Sequence, residues 1–324
     1  MEQASLCLFV PTRSILPAKI DRGSGFGFRC VNREPGTIVK IGAFLMVRDE
    51  EAMIETNLRY HLERQGLDHI IVIDNGSVDR TLEIVRSLQD ERITIRRTPA
   101  DAGYQQYVFS TQAAFELFDR YACNWVLPID ADEFWVSDRH RSVRAALESK
   151  TDNADVYYTW AYNFYESERD DSSENLFLRR LIYFRMSKVS KVVLRRSMRD
   201  KFQFLHTGNH DYEPVKGEQI ERELVKPSDL VRYHYPYISR EDTKAKVLKQ
   251  VDGFVRAFGD AWLHGEVAVG RHILRWYRAM EAGGFEVLYK RTAYLTADQI
   301  ADRSLRPPVH RNDTMRRWFR RTGS

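Results

Sequence analysis

The sequence predicts an α/β fold: a mostly parallel sheet flanked by helices, with a helical C-terminal extension. Three observations carry this. Buried-type apolar runs at IGAFLMV (41–47), HIIVI (69–73) and WVLPI (125–129), with a more alternating one at 93–96, are separated by segments whose apolar residues recur at helical spacing. Strands alternating with helices build a parallel sheet covered on both faces. From Glu241 onward the spacing is helical.

Each element has a local reason. Residues 1–37 mix Gly, Pro and Arg without a sustained period and read as an irregular extension. The first strand, 41–47, ends in the loop RDEE, and Met53, Ile54, Asn57, Leu58, His61 and Leu62 place a helix over 51–65 that Gly66 stops. The second strand, 69–73, turns at DNGS into a helix over 79–89 with Leu82, Val85 and Leu88 on one face. Ile93 and Ile95 alternate with Thr94 and Arg96 as a third, more exposed strand. A helix from Tyr104 to Tyr121 then leads to the fourth strand, 125–129. Residues 151–240 are rich in aromatic and basic side chains and predict shorter, less regular elements forming the substrate side. Val247, Leu248, Val251, Phe254, Val255 and Phe258 form an apolar helical stripe, and a further helix covers 270–281. The expected organisation is an extension (1–37), a main domain (38–240, with a nucleotide-binding half at 38–135 and an acceptor half at 151–240) and a helical extension (241–324).

Composition bounds the function. The 324 residues suffice for one large domain or two moderate ones. Three distant cysteines, Cys7, Cys30 and Cys123, exclude a disulfide framework and a CxxC zinc site, and suit a reducing compartment. No apolar run approaches the ~20 residues of a membrane span, and the N-terminus makes a poor secretory signal. The formal charge is +4, but Arg303–Ser324 holds seven arginines and one aspartate, which leaves residues 1–302 slightly acidic. That distribution argues against a nucleic-acid binder. Within the tail, Met315, Trp318 and Phe319 share one helical side and Arg316, Arg317, Arg320 and Arg321 the other. The expectation is a cytoplasmic protein whose residues 312–324 make peripheral contact with the inner face of the membrane, dock on their own domain or stay disordered.

In open α/β sheets ligands bind at the carboxyl ends of the strands. Here those ends are acidic: RDEE, DNGSVD and DADE. Asp130 and Asp132, one residue apart after a buried strand, repel unless a cation bridges them, and hard oxygen ligands select Mg²⁺ or Mn²⁺. The plain alternative is a solvated turn whose acids cap the next helix. Asp74 is placed to accept hydrogen bonds from a nucleobase or ribose, whereas Ser77 and Asp79 are explained by capping. No GxGxxG follows a strand and no GxxxxGK[ST] occurs, which argues against NAD and P-loop chemistry.

Together RDEE (48–51), IDNGSVDRT (73–81), DAGYQQ (101–106), NWVLPIDADEFW (124–135) and RYHYPYISREDTKAK (232–246) resemble glycosyltransferase family 2, in particular a DADE-containing branch related to family 92. Asp49 departs from the Asn usual there. The resemblance implies a GT-A (Rossmann-like) fold, a nucleotide-diphosphate sugar donor, a divalent metal and inverting transfer to a glycan or lipid-linked acceptor. By position it assigns Glu50 to the nucleoside pocket, Asp74 to base or ribose, Asp130 to ribose or metal, Asp132 to the metal, and His234 to metal or diphosphate.

Inverting transfer also needs a base for the acceptor hydroxyl, and a neutral imidazole near pH 7, His210 or His234, suits it. His206 and His210 as a zinc pair lack the helix and glutamate of HExxH. Lys188, Lys191, Arg195 and Arg196 read as a charged strand edge or as steering for an anionic donor. Trp160, Tyr162, Phe164 and Tyr165 read as core packing or as a sugar-stacking platform. The competing functions are a nucleotidyltransferase on a similar sheet and a non-catalytic nucleotide- or carbohydrate-binding scaffold; a glycoside hydrolase needs carboxylates farther apart than adjacent residues allow.

Overall fold

The computed structural model describes residues 39–99, 105–168, 170, 176–179, 183–296 and 313–322. The expected extension 1–37, residues 101–104 of the DAGYQQ motif and the stretch 297–312 lie outside them.

Four parallel strands form the first half of the main sheet: β1 (Ile41–Val47), β2 (His69–Asp74), β3 (Ile93–Arg97) and β4 (Trp125–Ile129), in the order β3-β2-β1-β4. Side chains alternate between faces. Ala43, Leu45, Ile70 and Val72 join one core, and Phe44, Ile71 and Ile73 join the other. Burial on both faces explains why these strands read as continuous apolar runs. The crossovers are α1 (Ile54–Arg59), which widens into a π-helical turn at Tyr60–Arg64, α2 (Thr81–Ser87) and α3 (Gln106–Asp119). Gly66, at φ +74°, ends the first of these as expected. A Cβ on Gly42 would stand 2.7 Å from both Leu117 Cδ2 and Cys123 Sγ, so α3 lies on β1 more closely than any other residue permits.

The second half departs from the expectation of short, irregular elements. After β5 (Glu133–Val136) and α4 (Val143–Glu148), β6 (Val156–Phe164) runs nine residues. Beyond β7 (Glu166–Ser167) and α5 (Leu176–Arg179), β8 (Tyr183–Arg195) runs thirteen. The hairpin β9 (Phe202–Leu205) and β10 (Tyr212–Pro214) follows, then β11 (Arg222–Leu224) and β12 (Val231–His234). The sheet continues β4-β8-β6-β12-β5, with β8 antiparallel to both neighbours. The charged-edge reading of Lys188–Arg196 is therefore overturned: β8 is an interior strand, and the Lys191 side chain is 1% exposed. Of the aromatic run, Tyr162 and Phe164 are buried in the core, while Trp160 and Tyr165 stay partly exposed.

The C-terminal part comprises α6 (Arg240–Phe258), α7 (Asp260–His264), α8 (Arg271–Glu281), α9 (Phe285–Ala293) and β13 (Tyr294–Leu295), which pairs with β7. Ser239 caps α6, its Oγ accepting from Asp242 N at 3.0 Å. The predicted stripe narrows to Val247, Val251, Phe254 and the partly buried Val255, while Leu248 and Phe258 are exposed. No helix among the described residues is long and apolar enough to cross a membrane.

The tail helix α10 (Asp313–Thr322) docks on its own domain. Met315, Trp318 and Phe319 are buried in the main core; Trp318 meets Tyr60 edge-on at 5.3 Å and Phe319 stacks on Phe177 at 4.7 Å. Its apolar side is thus spent on the protein interior, the docked alternative for the tail. Trp318→Ala and Phe319→Ala are each expected to lower stability by about 3 kcal/mol in urea unfolding; a helix lying off the domain would register no loss.

Candidate functional site

The site is built on the turn that follows β4. Glu133 N donates to Asp130 O at 2.9 Å, closing the turn Asp130–Glu133. Its carbonyls face helix α1, where the Asn57 amide nitrogen lies 3.2, 3.0 and 2.9 Å from the oxygens of Asp130, Ala131 and Glu133. One helical turn on, His61 Nδ1 donates to Asn57 O at 2.8 Å, so Nε2 is the acceptor for Trp135 N at 3.2 Å. Burial pushes the His61 pKa down to about 4, which keeps the ring neutral as that acceptor role requires. Neither Asn57 nor His61 was predicted as a site residue. The signal was present: both are polar residues within an otherwise apolar helical stripe.

Each acid of the turn meets a cation from later in the chain. Lys191 Nζ stands 2.7 Å from both Asp130 Oδ2 and Glu133 Oε2. Arg232 donates to Glu133 Oε1 and, at 2.9 Å, to Val189 O. Lys246 donates to Asp132 Oδ2, and His234 Nε2 lies 3.6 Å from that same oxygen. Strand register explains the convergence. β12 runs antiparallel to β5 and parallel to β6, setting His234 opposite Glu133 and Asn163, while Arg232, two residues away, shares its face. Burial opposes the Glu133 charge, yet Arg232 and Lys191 bring its pKa down to about 2. Burial likewise opposes the Asp132 charge, and Lys246 and His234 overcome it, holding the carboxyl well below its usual range. Asp130 is the open member, with 40% of its side chain exposed.

His234 Nδ1 pairs with Asn163 Oδ1 at 2.8 Å. Nδ1 therefore carries a proton, and Nε2 is the ring atom that faces Asp132.

At the ends of β1 and β2 two loops clasp each other. Asp49, at φ +54°, accepts from Val78 N at 2.7 Å and Asp79 N at 3.3 Å, and its own N–H donates to Ser77 Oγ at 3.1 Å. Asn and Asp both tolerate the left-handed region and both offer this acceptor, so the departure at Asp49 leaves the loop intact. Asp79 Oδ1 accepts from Thr81 N at 2.9 Å at the start of α2, as expected, whereas Ser77 serves the loop clasp instead of capping. Glu50 N donates to Thr81 Oγ1 at 2.7 Å, and its carboxylate lies 3.4 Å from Lys249 Nζ. Burial raises the Glu50 pKa, against the pull of Lys249 and Lys246. Asp74 sits at the predicted strand end but is 1% exposed; Oδ1 accepts from Ser77 N at 3.0 Å and Oδ2 from Arg97 Nε at 3.3 Å.

His210 and His206 are held by different strands. His210 Nδ1 donates to Ser190 O on β8 at 2.6 Å, which leaves Nε2 as its acceptor atom, and His206 Nε2 faces Glu213 on β10 at 3.6 Å. Enclosure of the His210 ring, with Lys191 adding to it, lowers its pKa against the opposing hydrogen bond to Ser190. Gly208, at φ +82°, makes room for that ring, since a Cβ there would lie 2.4 Å from His210 Nε2. Gly208 N in turn donates to Gln106 Oε1 at 2.8 Å, linking this turn to the start of α3.

No group of three His, Cys, Asp or Glu is gathered for a metal among the described residues. The turn offers two donors, Asp132 Oδ2 and His234 Nε2. A carboxylate and a neutral imidazole fit a Mn²⁺ or Mg²⁺ that takes its other ligands from phosphate and water.

The family model described as glycosyl transferase family 2 matches residues 44–209. No curated protein matches the chain by sequence. Among solved structures, TarS 1–349 of S. aureus in complex with UDP is similar at 14% identity and a TM-score of 0.33, over 59% of this chain and 62% of that one. The chain thus spans less than two thirds of that TarS chain. The mannosyltransferase PcManGT from Pyrobaculum calidifontis, in complex with GDP-Man and Mn²⁺, is similar at 13% identity and a TM-score of 0.39, over 86% and 79% of the two chains. Glucosyl-3-phosphoglycerate synthase from Mycobacterium tuberculosis is similar at 17% identity and a TM-score of 0.26, over 42% and 51%.

The buried groups behind the turn make stability fall on acidification in two windows. His61 has a folded pKa of about 4 against an ordinary 6.5, so the unfolded chain binds the extra proton and stability drops as pH falls through that interval, by on the order of 3 kcal/mol. Glu133, depressed from 4.5 to about 2, adds a second loss below pH 4.5. Urea unfolding of His61→Gln is expected to show a smaller upper window, with what His69, His210 and His272 contribute left in place, and to keep the lower one.

Proposed function

The chain belongs to glycosyltransferase family 2, and from that premise we propose that it is a metal-dependent inverting glycosyltransferase. It moves a sugar from a nucleotide-diphosphate donor to a hydroxyl of a glycan or lipid-linked acceptor. The observation that carries this reading is the pairing of Asp132 Oδ2 with His234 Nε2 at 3.6 Å, at the carboxyl end of β4, beside the half-open Asp130.

Asp132 and His234 would hold Mn²⁺ or Mg²⁺, with Asp130 toward the ribose or the ion; the bound ion supplies positive charge to the departing diphosphate. Glu50, on the neighbouring strand end, lines the nucleoside side. Asp74 supports that side by fixing the DNGS turn, its oxygens being engaged by Ser77 and Arg97. Asn163 keeps the His234 proton on Nδ1, so that Nε2 can bind as a neutral ligand. His210 is the proposed base: its Nδ1–H is held by Ser190 O, its lowered pKa keeps it neutral near pH 7, and Nε2 takes the acceptor proton.

The nucleotidyltransferase alternative ordinarily wants a glycine-rich phosphate loop after the first strand, and RDEEAM has no glycine. Product analysis separates the two: release of nucleoside diphosphate supports transfer of sugar, and release of pyrophosphate rejects it. Calorimetric titration with UDP and GDP, with and without Mn²⁺, is expected to show Mn²⁺-dependent binding that Asp132→Ala abolishes; binding indifferent to both refutes the metal site. His210→Ala is expected to lower turnover by about 10²- to 10⁴-fold while donor affinity stays near that of the unmodified protein.

A further inference from the structure

Helix α6 lies against the ends of β1 and β4 and sends two lysines into the acidic site. Lys249 is fully engaged by the chain: Nζ donates to the carbonyls of Arg48 and Asp49, the latter at 3.1 Å, and lies 3.4 Å from Glu50 Oε1. One turn further along, Arg48 pairs with Asp252 at 3.2 Å. These contacts anchor the helix. Lys246 differs, since the one hydrogen bond and ion pair of its ammonium among the described residues go to the Asp132 carboxylate, with Glu50 acting on it only from farther off, and 36% of its side chain is exposed. It therefore stands at the mouth of the site on a flexible four-carbon stem, a point charge with three donors and room to pivot.

The oxygen it occupies is Asp132 Oδ2, the same atom that His234 Nε2 approaches to 3.6 Å. A divalent ion and the ammonium repel each other when both approach that oxygen, so the ion competes with Lys246 for it. When an ion arrives between Asp132 and His234, Lys246 is displaced into a neighbourhood whose other acids already have cations: Glu50 has Lys249, and Asp130 and Glu133 share Lys191. The unneutralised anion then present is the diphosphate that comes with the ion.

We propose that Lys246 is a donor-positioning residue that holds Asp132 before an ion binds and transfers to the diphosphate of the bound nucleotide when a divalent ion takes its place. No covalent bond changes; the lysine exchanges one anionic oxygen for another. The inference rests on the reading that Asp132 and His234 hold the ion. It makes the lysine a competitor of the metal alone and an ally of the metal with nucleotide, so loading of the two is coupled.

The test measures two affinities in the full-length protein and in Lys246→Met, with Lys246→Gln as a second variant should the first not fold. Mn²⁺ alone is titrated by the electron paramagnetic resonance of the free ion. UDP and GDP are titrated by calorimetry at saturating Mn²⁺. Removing the lysine is expected to tighten Mn²⁺ alone by about tenfold or more and to weaken the tighter-binding diphosphate by about tenfold or more, a tenfold change being about 1.4 kcal/mol. A merely structural lysine would move both in one direction. Shifts of the same sign, or no shift in either quantity, overturn the proposal while leaving the metal site standing. An unmodified protein that binds neither Mn²⁺ nor either diphosphate overturns the metal reading and this inference with it.

Discussion

Three carboxylates within four residues at the end of a buried strand can fold only if positive charge comes to meet them. Asp130, Asp132 and Glu133 receive it from three later elements: Lys191 on β8, Arg232 on β12 and Lys246 on α6. This balance ties the antiparallel half of the sheet and the first C-terminal helix to the parallel half. Attraction alone does not make the arrangement stable, because desolvating both partners offsets much of it. Specificity is where the network acts. A buried Glu133 without Arg232 or Lys191 leaves an uncompensated charge, so alternative strand registers in the second half are strongly disfavoured.

Neutral groups position what the charges stabilise. Asn57 and His61 hold the backbone of the acidic turn from below, using an amide and a neutral imidazole on successive turns of α1. Asp49 locks the adjoining loops: its N–H donates to Ser77 Oγ, and its carboxylate accepts from Val78 N. The candidate site is therefore a set of strand ends whose loops are braced against one another, and its geometry belongs to the rigid sheet more than to any single loop. Lys246 is the exception, with one hydrogen-bond partner among the described residues and a partly exposed stem, which is why it is the group with freedom to change partners.

Much of the site was legible in the sequence because local rules govern strand ends. Buried strands followed by acidic loops located Glu50, Asp74, Asp130 and Asp132 at one edge, and His234 joined them through the motif it belongs to. Their partners were harder to read. Lys191 lies in a run of charged residues that resembles a solvated edge, and nothing local says that β8 inserts between β4 and β6. Arg232 and Lys246 lie inside the segment 232–246 that the sequence singles out, yet their targets lie 99 and 114 residues away in the chain. Asn57 and His61 were visible as helix-face residues, but their hydrogen bonds depend on a turn formed some 75 residues later.

The sequence by itself determined the parallel half: apolar runs of strand length, helical spacing between them, Gly66 as a stop and acidic loops at the carboxyl ends. These follow from side-chain periodicity and backbone preference, which act over a few residues. Only the tertiary structure decided the rest. It threaded a thirteen-residue antiparallel strand through the middle of the sheet, turned the apolar side of the tail helix into core, and brought a lysine from α6 onto Asp132. Those outcomes depend on which buried charge finds which partner and which apolar face finds cover, and the answer lies in residues that are distant along the chain.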